Sequence, residues 1–209
     1  IARYADRAGD WSEYSDENTV TERQVSSNGN GSWIQNQYGW WYRYYDGGYR
    51  SNTWEKINNT WYYFNRDGYM LNGWQQISGS WYYLGANGAM TRGWQSVNGR
   101  WYYMNGDGVM LTGWQYLGGR WYFLDSSGAM LTGWQFINGA WYFLDGSGAM
   151  LTGWQFINGH WYYMNDSGIM LTGWQFINGA WYYLDGSGAM YADQTTPDGY
   201  YVDGSGKRN

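Results

Sequence analysis

The chain has 209 residues and a formal net charge of −5, with 23% aromatic residues, only 14% charged residues, 33 glycines and a single proline. No apolar run approaches the ~20 residues of a membrane span, and no Lys/Arg cluster offers a footprint for nucleic acid or an anionic membrane surface. The absence of cysteine excludes a disulfide framework and cysteine-ligated zinc.

Residues 1–30 hold three of the four glutamates, end in SSNGNG and lack a basic-then-apolar leader pattern. They read as a linker or the tail of a missing upstream domain. The stretch GSWIQNQYGWWYRYYDGGYR (31–50) opens a variant first repeat over residues 31–54, with Arg43 and Arg50 where later repeats carry Tyr and Met. From there a period of 20 governs the chain to about residue 190. Trp41, Trp61, Trp81, Trp101, Trp121, Trp141, Trp161 and Trp181 form one series, and Trp54, Trp74, Trp94, Trp114, Trp134, Trp154 and Trp174 another. Methionines follow the same spacing from Met70 to Met190. A shortened terminal hairpin is expected over 191–206, with residues 207–209 as a tail.

A fixed period of this kind decides the architecture. WYYL and WYFL are aromatic-rich and lack helical spacing, so they read as short strands. DGSG and its relatives suit a four-residue loop, AMLTGW reads as a returning strand, and Asn138–Gly139 and its equivalents as two-residue turns. A hairpin this small cannot bury its own apolar face, so neighbours must stack on it. The expected fold is all-β, a solenoid of stacked hairpins.

With Asn138–Gly139 as a two-residue turn, Trp141 stands opposite Phe136 and Trp134 lies one diagonal step away on the same face, roughly 7–8 Å off. Two indoles then wall a slot, and a ring from the adjacent coil closes it. A nearly uncharged, open-sided aromatic box suits a quaternary ammonium ion, which has no N–H to donate and is held by ring faces. Each ring contributes roughly 0.5–2 kcal/mol. Three give on the order of 2–5 kcal/mol, and about 4 kcal/mol corresponds to a millimolar dissociation constant. Many such boxes facing a polymer gain avidity from effective concentration. The middle tyrosines Tyr82, Tyr102 and Tyr122, like the leucines and isoleucines, read as core.

The pattern GWxxxNGxWYYxxxxGxM over residues 31–206 resembles the choline-binding, or cell-wall-binding, repeats of Gram-positive bacteria and their phages. That resemblance implies a superhelical hairpin stack on the cell surface that binds choline or phosphocholine of teichoic or lipoteichoic acid. Each site takes the GW and WYY tryptophans of one repeat and the third aromatic of the next. Carried over, the sites are Trp54, Trp61 and Tyr83; Trp74, Trp81 and Tyr103; Trp94, Trp101 and Phe123; Trp114, Trp121 and Phe143; Trp134, Trp141 and Tyr163; and Trp154, Trp161 and Tyr183. Met110 or Met130 lines a slot on the same analogy. A last site needs Trp174, Trp181 and Tyr201, and a first site from Trp33 and Trp41 departs from the seven-residue spacing.

No catalytic set competes with this reading. Between residues 61 and 190 there is no Glu, and the six Asp (67, 107, 125, 145, 166, 185) fall in or beside turns. His160, the single histidine, occupies a position held elsewhere by Ala140, Ala180, Arg100 and Ser80. No metal or other cofactor is called for. The rival readings are a glucan-binding repeat domain, whose rings stack on sugars, and a stalk or adhesin that binds a host protein. A homodimer is a further assembly the sequence leaves open.

Overall fold

The computed structural model describes residues 30–208, so the linker expected over 1–30 lies, apart from Asn30, outside the described residues. The fold is all-β, with eighteen strands paired as nine two-stranded antiparallel sheets and no helix among the described residues. Two compact units divide the chain, Ile1–Leu111 and Thr112–Asn209, and each is a stack of hairpins in solenoid fashion.

One repeat explains the others. Gly133–Ile137 pairs with Ala140–Leu144, setting Trp134 opposite Phe143 and Phe136 opposite Trp141. Asn138 (φ 50°) and Gly139 (φ 86°) turn the chain, the two positive φ values of the tight turn whose twist matches its strands. The second turn is built differently. Asp145 Oδ1 accepts from Ser147 N (2.8 Å), Ser147 Oγ (2.6 Å) and Ala149 N (3.0 Å), while Asp145 N–H donates to Ala149 O. The stretch after it is not the regular strand that AMLTGW suggested. Met150 makes only an isolated bridge to Leu144, and the next strand begins at Gly153.

Strand alternation gives each hairpin two unlike faces. In this repeat the front carries Trp134, Phe136, Trp141 and Phe143, and the back carries Gln135, Ile137, Ala140, Tyr142 and Leu144. Leu144 and its equivalents Leu84, Met104, Leu124, Met164 and Leu184 are fully buried, and with the isoleucines at the tight turns they form the core line. Fully burying each such side chain is worth roughly 1.5–3 kcal/mol.

Successive hairpins are stitched by the main chain. Met150 N–H donates to Trp121 O, Met170 N–H to Trp141 O and Met190 N–H to Trp161 O, each at 2.8 Å. In the first unit Met90 N–H and Met110 N–H reach Trp61 O and Trp81 O at the same distance.

Both ends of the repeat series depart from the expected register. In the first hairpin Trp33 stands opposite Tyr42 and Gln35 opposite Trp40, so Trp40 rather than Trp41 is the counterpart of Trp61. One extra residue between Tyr49 and Trp54 absorbs the difference, and Tyr49, bridged to Arg43, takes the methionine's place. Trp41 lies on the back face with Ile34, fully buried. Lys207 and Arg208, expected in a tail, instead bridge Tyr182 and Val202.

Candidate ligand site

The front face of one hairpin meets the back face of the next, and the aromatic boxes form there. In the first unit Trp74 and Trp81 lie 6.3 Å apart with planes at 83°, and the ring of Tyr102 stands 4.7 Å from Trp74. In the second unit the Trp114–Trp121, Trp134–Trp141 and Trp154–Trp161 pairs lie 6.3–6.4 Å apart at 85–87°. Tyr142, Tyr162 and Tyr182 stand 4.8–4.9 Å from Trp114, Trp134 and Trp154 in turn. Trp54 meets Tyr82 at 4.9 Å.

The third wall is therefore the middle letter of the WYY triplet, not the last. Tyr83, Tyr103, Phe123, Phe143, Tyr163 and Tyr183 each stand 5.1–5.3 Å from the GW tryptophan of their own hairpin, Trp74, Trp94, Trp114, Trp134, Trp154 and Trp174. They brace that indole from its own sheet face instead of completing the previous box. The reason is parity. The third letter shares a face with its Trp, whereas the middle letter points to the back, the side that meets the preceding hairpin. Tyr82 and Tyr102, read from the sequence as core, are box walls.

A thioether supplies a fourth surface. Met150 lines the recess of about 360 Å³ walled by Trp114, Trp121 and Tyr142, with Asp166 and Ser167 at its edge. Met90 lines one of about 290 Å³ with Trp54, Trp61 and Tyr82, with Arg92 and Asp107 beside it. These volumes sit near the low end of the ~300–1,000 Å³ usual for small-molecule clefts and suit a compact group. Met110 N–H donates to Trp81 O beside the Trp74–Trp81 box. Met130 bridges Leu124 and lies against Gly148.

The boxes are open to solvent. Trp121, Trp141 and Trp161 each keep 43% of their surface exposed. An apolar ring held at an exposed, repeated position is the informative exception to burial, and it points to a ligand surface.

The family profile described as a choline-binding repeat matches residues 51–93, 91–131, 111–152, 131–170 and 151–194, well over half of the chain. The chain belongs to the choline-binding repeat family. Its fold is similar to that of choline binding protein F from Streptococcus pneumoniae, crystallised in the presence of a tetrasaccharide-pentapeptide peptidoglycan analogue. That pair shares 40% identity over 81% of this chain and 61% of the other, with a TM-score of 0.76. The Streptococcus pneumoniae protein CbpJ is similar at 38% identity, over 82% and 62% of the two chains, with a TM-score of 0.77. The modular autolysin LytC of the same organism follows at 34% identity, over 85% and 42%, with a TM-score of 0.61. The chain thus spans about three fifths of the length of the first two of these relatives. No curated protein sequence matches it.

As a choline-binding repeat protein, the chain carries two features that sequence reasoning missed. The first is a box of about 270 Å³ made by Trp33, Trp40, Tyr62 and Met70. Its seven-residue Trp spacing was visible in the sequence, but the tandem Trp40–Trp41 obscured it. The second is the terminal pair. Tyr201, the expected partner of Trp174, pairs instead with Thr195, and Tyr200 stands 5.9 Å from Trp174.

Asp145 and Asp185 act in turns. Partial burial pushes the Asp145 carboxyl up, but hydrogen bonds from the Ser147 hydroxyl and from the Ala149 and Ser147 amides outweigh it and hold the group below the ordinary carboxylate range. Asp185 behaves alike with Ser187 and Ala189. His160 opens a strand opposite Ile157. Among the described residues no group of three or more His, Asp or Glu could hold a metal, and no helix is long and apolar enough to cross a membrane.

Proposed function

We propose that the chain is a non-catalytic cell-wall-binding module. It captures choline groups of teichoic or lipoteichoic acid in aromatic boxes between successive hairpins of each unit, and so holds a larger surface protein or wall hydrolase at the cell surface. The walls are Trp33, Trp40 and Tyr62; Trp54, Trp61 and Tyr82; Trp74, Trp81 and Tyr102; Trp114, Trp121 and Tyr142; Trp134, Trp141 and Tyr162; and Trp154, Trp161 and Tyr182. Trp94 and Trp101, 6.5 Å apart at 86°, supply two walls of a further box.

The observation that carries this reading is the recurring right-angled pair of indoles, one of them exposed, closed by a tyrosine and floored by a thioether. Core packing has no use for a wet indole, whereas a quaternary ammonium ion, with no N–H to donate, is well held by ring faces. Asp166 at the mouth of the Trp114–Trp121 box adds a charge of the sign that favours a cation. The autolysin among the relatives supports the role as part of a larger wall-active protein.

A second reading has its own observation. Tyr116, Phe136, Phe156 and Phe176 stand 60–62% exposed beside the tryptophans of the second unit, a row on which sugar rings would stack. Intrinsic tryptophan fluorescence, titrated with choline, with glucose oligomers and with sodium chloride, separates the two. A saturable change in the millimolar range with choline alone is the expected result. A response to the oligomers and none to choline would move the chain to the glycan-binding class.

A further inference from the structure

In the boxes just described the methionine position is filled by a neutral thioether. At the end of the described residues it is filled by a cation. Arg208 N–H donates to Trp181 O at 2.9 Å, as Met190 N–H does to Trp161 O, and Arg208 bridges Val202 as Met190 bridges Leu184. Gly206 (φ 82°) precedes it against Met190, as Gly188 precedes Met190 against Met170. Arg208 thus holds the methionine's register. The expected tail hid this, because the terminal repeat is two residues shorter between Trp181 and Arg208 than between Trp161 and Met190.

The side chain uses that position as a ligand would. Its guanidinium carbon lies 3.6 Å from the centroid of the Tyr200 ring and 5.6 Å from that of Trp174. Both distances fall inside the ~6 Å reach of a cation–π contact. Asp198 fixes the assembly, accepting from Trp174 Nε1 at 2.8 Å through one oxygen and from the hydroxyl of buried Thr196 at 2.6 Å through the other. The indole is held by its edge and the cation lies against ring faces.

We propose that Arg208 is an internal occupant of the terminal aromatic box, and that it excludes free quaternary ammonium ions from the Trp174–Tyr200 site. A tethered cation needs no translational ordering to enter, so it outcompetes a ligand of millimolar affinity. Its fixed charge also repels a second cation from the same rings. Arg208 therefore sets the number of ligand sites, and replacing it by the residue of the other repeats opens one more. This inference rests on the choline reading for its ligand but not for the placement of the guanidinium.

The test compares the full chain with Arg208→Met by equilibrium dialysis against labelled choline, with Arg208→Gln as a second variant. Methionine is the residue at seven equivalent positions from Met70 to Met190, so the fold is expected to survive, which circular dichroism checks. The expected result is one additional choline per chain for both variants. An unchanged count, with the other boxes binding, overturns the exclusion. A parallel NMR measurement on ligand-free protein reads the Arg208 δ-methylene protons. Upfield ring-current shifts that vanish in Tyr200→Leu support occupancy, and random-coil shifts overturn it. If neither protein binds choline, the wall-binding reading fails and exclusion of that ligand falls with it. The δ-proton shifts still decide whether the guanidinium fills the box.

Discussion

At the scale of single residues, the decisive pair is Tyr142 and Phe143, neighbours in sequence that face opposite sides of one sheet. Tyr142 walls the Trp114 box and Phe143 braces Trp134. Tyr142→Ala is expected to weaken choline at the Trp114–Trp121 box by roughly 0.5–2 kcal/mol, about 2- to 30-fold. Tyr142→Phe keeps the ring face and should bind nearly as parent. Indole N–H resonances followed through a choline titration check this, since Phe143→Ala should perturb Trp134 and Trp141 and spare Trp114 and Trp121. Both tryptophan series and their pairing at a spacing of seven were legible in the sequence. The third wall was not, because its choice depends on which face meets the neighbouring coil. A one-hairpin argument gives the two faces but cannot say that stacking joins front to back. Arg208 was illegible for another reason: its main-chain bond to Trp181 and its bridge to Val202, not its spacing, reveal that it stands in a methionine's place.

At the scale of the hairpin, two unlike turns carry the repeat. The Asn-Gly turn was readable from its residues alone, and the pairing of Phe136 with Trp141 followed from it. The slip of one residue before Trp54 was not readable, since a period of 20 counted from Trp41 passes through it unnoticed. At the other turn Gly168 has φ 78°, and a Cβ there would overlap the Sδ of Met150, the floor of the Trp114 box. Gly168→Ala meets both costs, backbone and contact, and is expected to destabilise by about 1–3 kcal/mol while displacing Met150. Thermal unfolding gives the first effect and choline affinity the second. The Asp turns predict a pH dependence. The carboxyls of Asp145 and Asp185 are held below their ordinary value, so the stability they lend is fully present above the unfolded pKa of about 3.9. It is lost as pH falls through the lower folded value. The melting temperature should stay flat from pH 8 to about 5 and fall below about 4, and Asp145→Ala and Asp185→Ala together should make that acid limb shallower.

At the scale of the molecule, stability and binding are sums over neighbours. Trp141→Ala should remove one choline site and leave the circular dichroism spectrum in place. Adding Trp61→Ala and Trp121→Ala should lower free-choline capacity in proportion. Retention on a choline-bearing polymer should drop far more steeply, because each lost site removes a factor of effective concentration. Chromatography on a choline-substituted resin, eluted with free choline, measures the difference. The Met-to-Trp hydrogen bonds carry a mechanical corollary. The carbonyl that anchors the next coil belongs to a box wall, so peeling one coil away tears open its ligand pocket in the same event. Drawn from its ends in an optical trap, each stack should lengthen in steps of one repeat. Twenty residues at 3.3–3.6 Å each release roughly 66–72 Å of chain per step, less the repeat's own length in the stack. Choline in the bath should raise the force of every step whose pocket is filled and leave the step length alone, so that tension on the wall polymer is met by a row of small, reclosable latches.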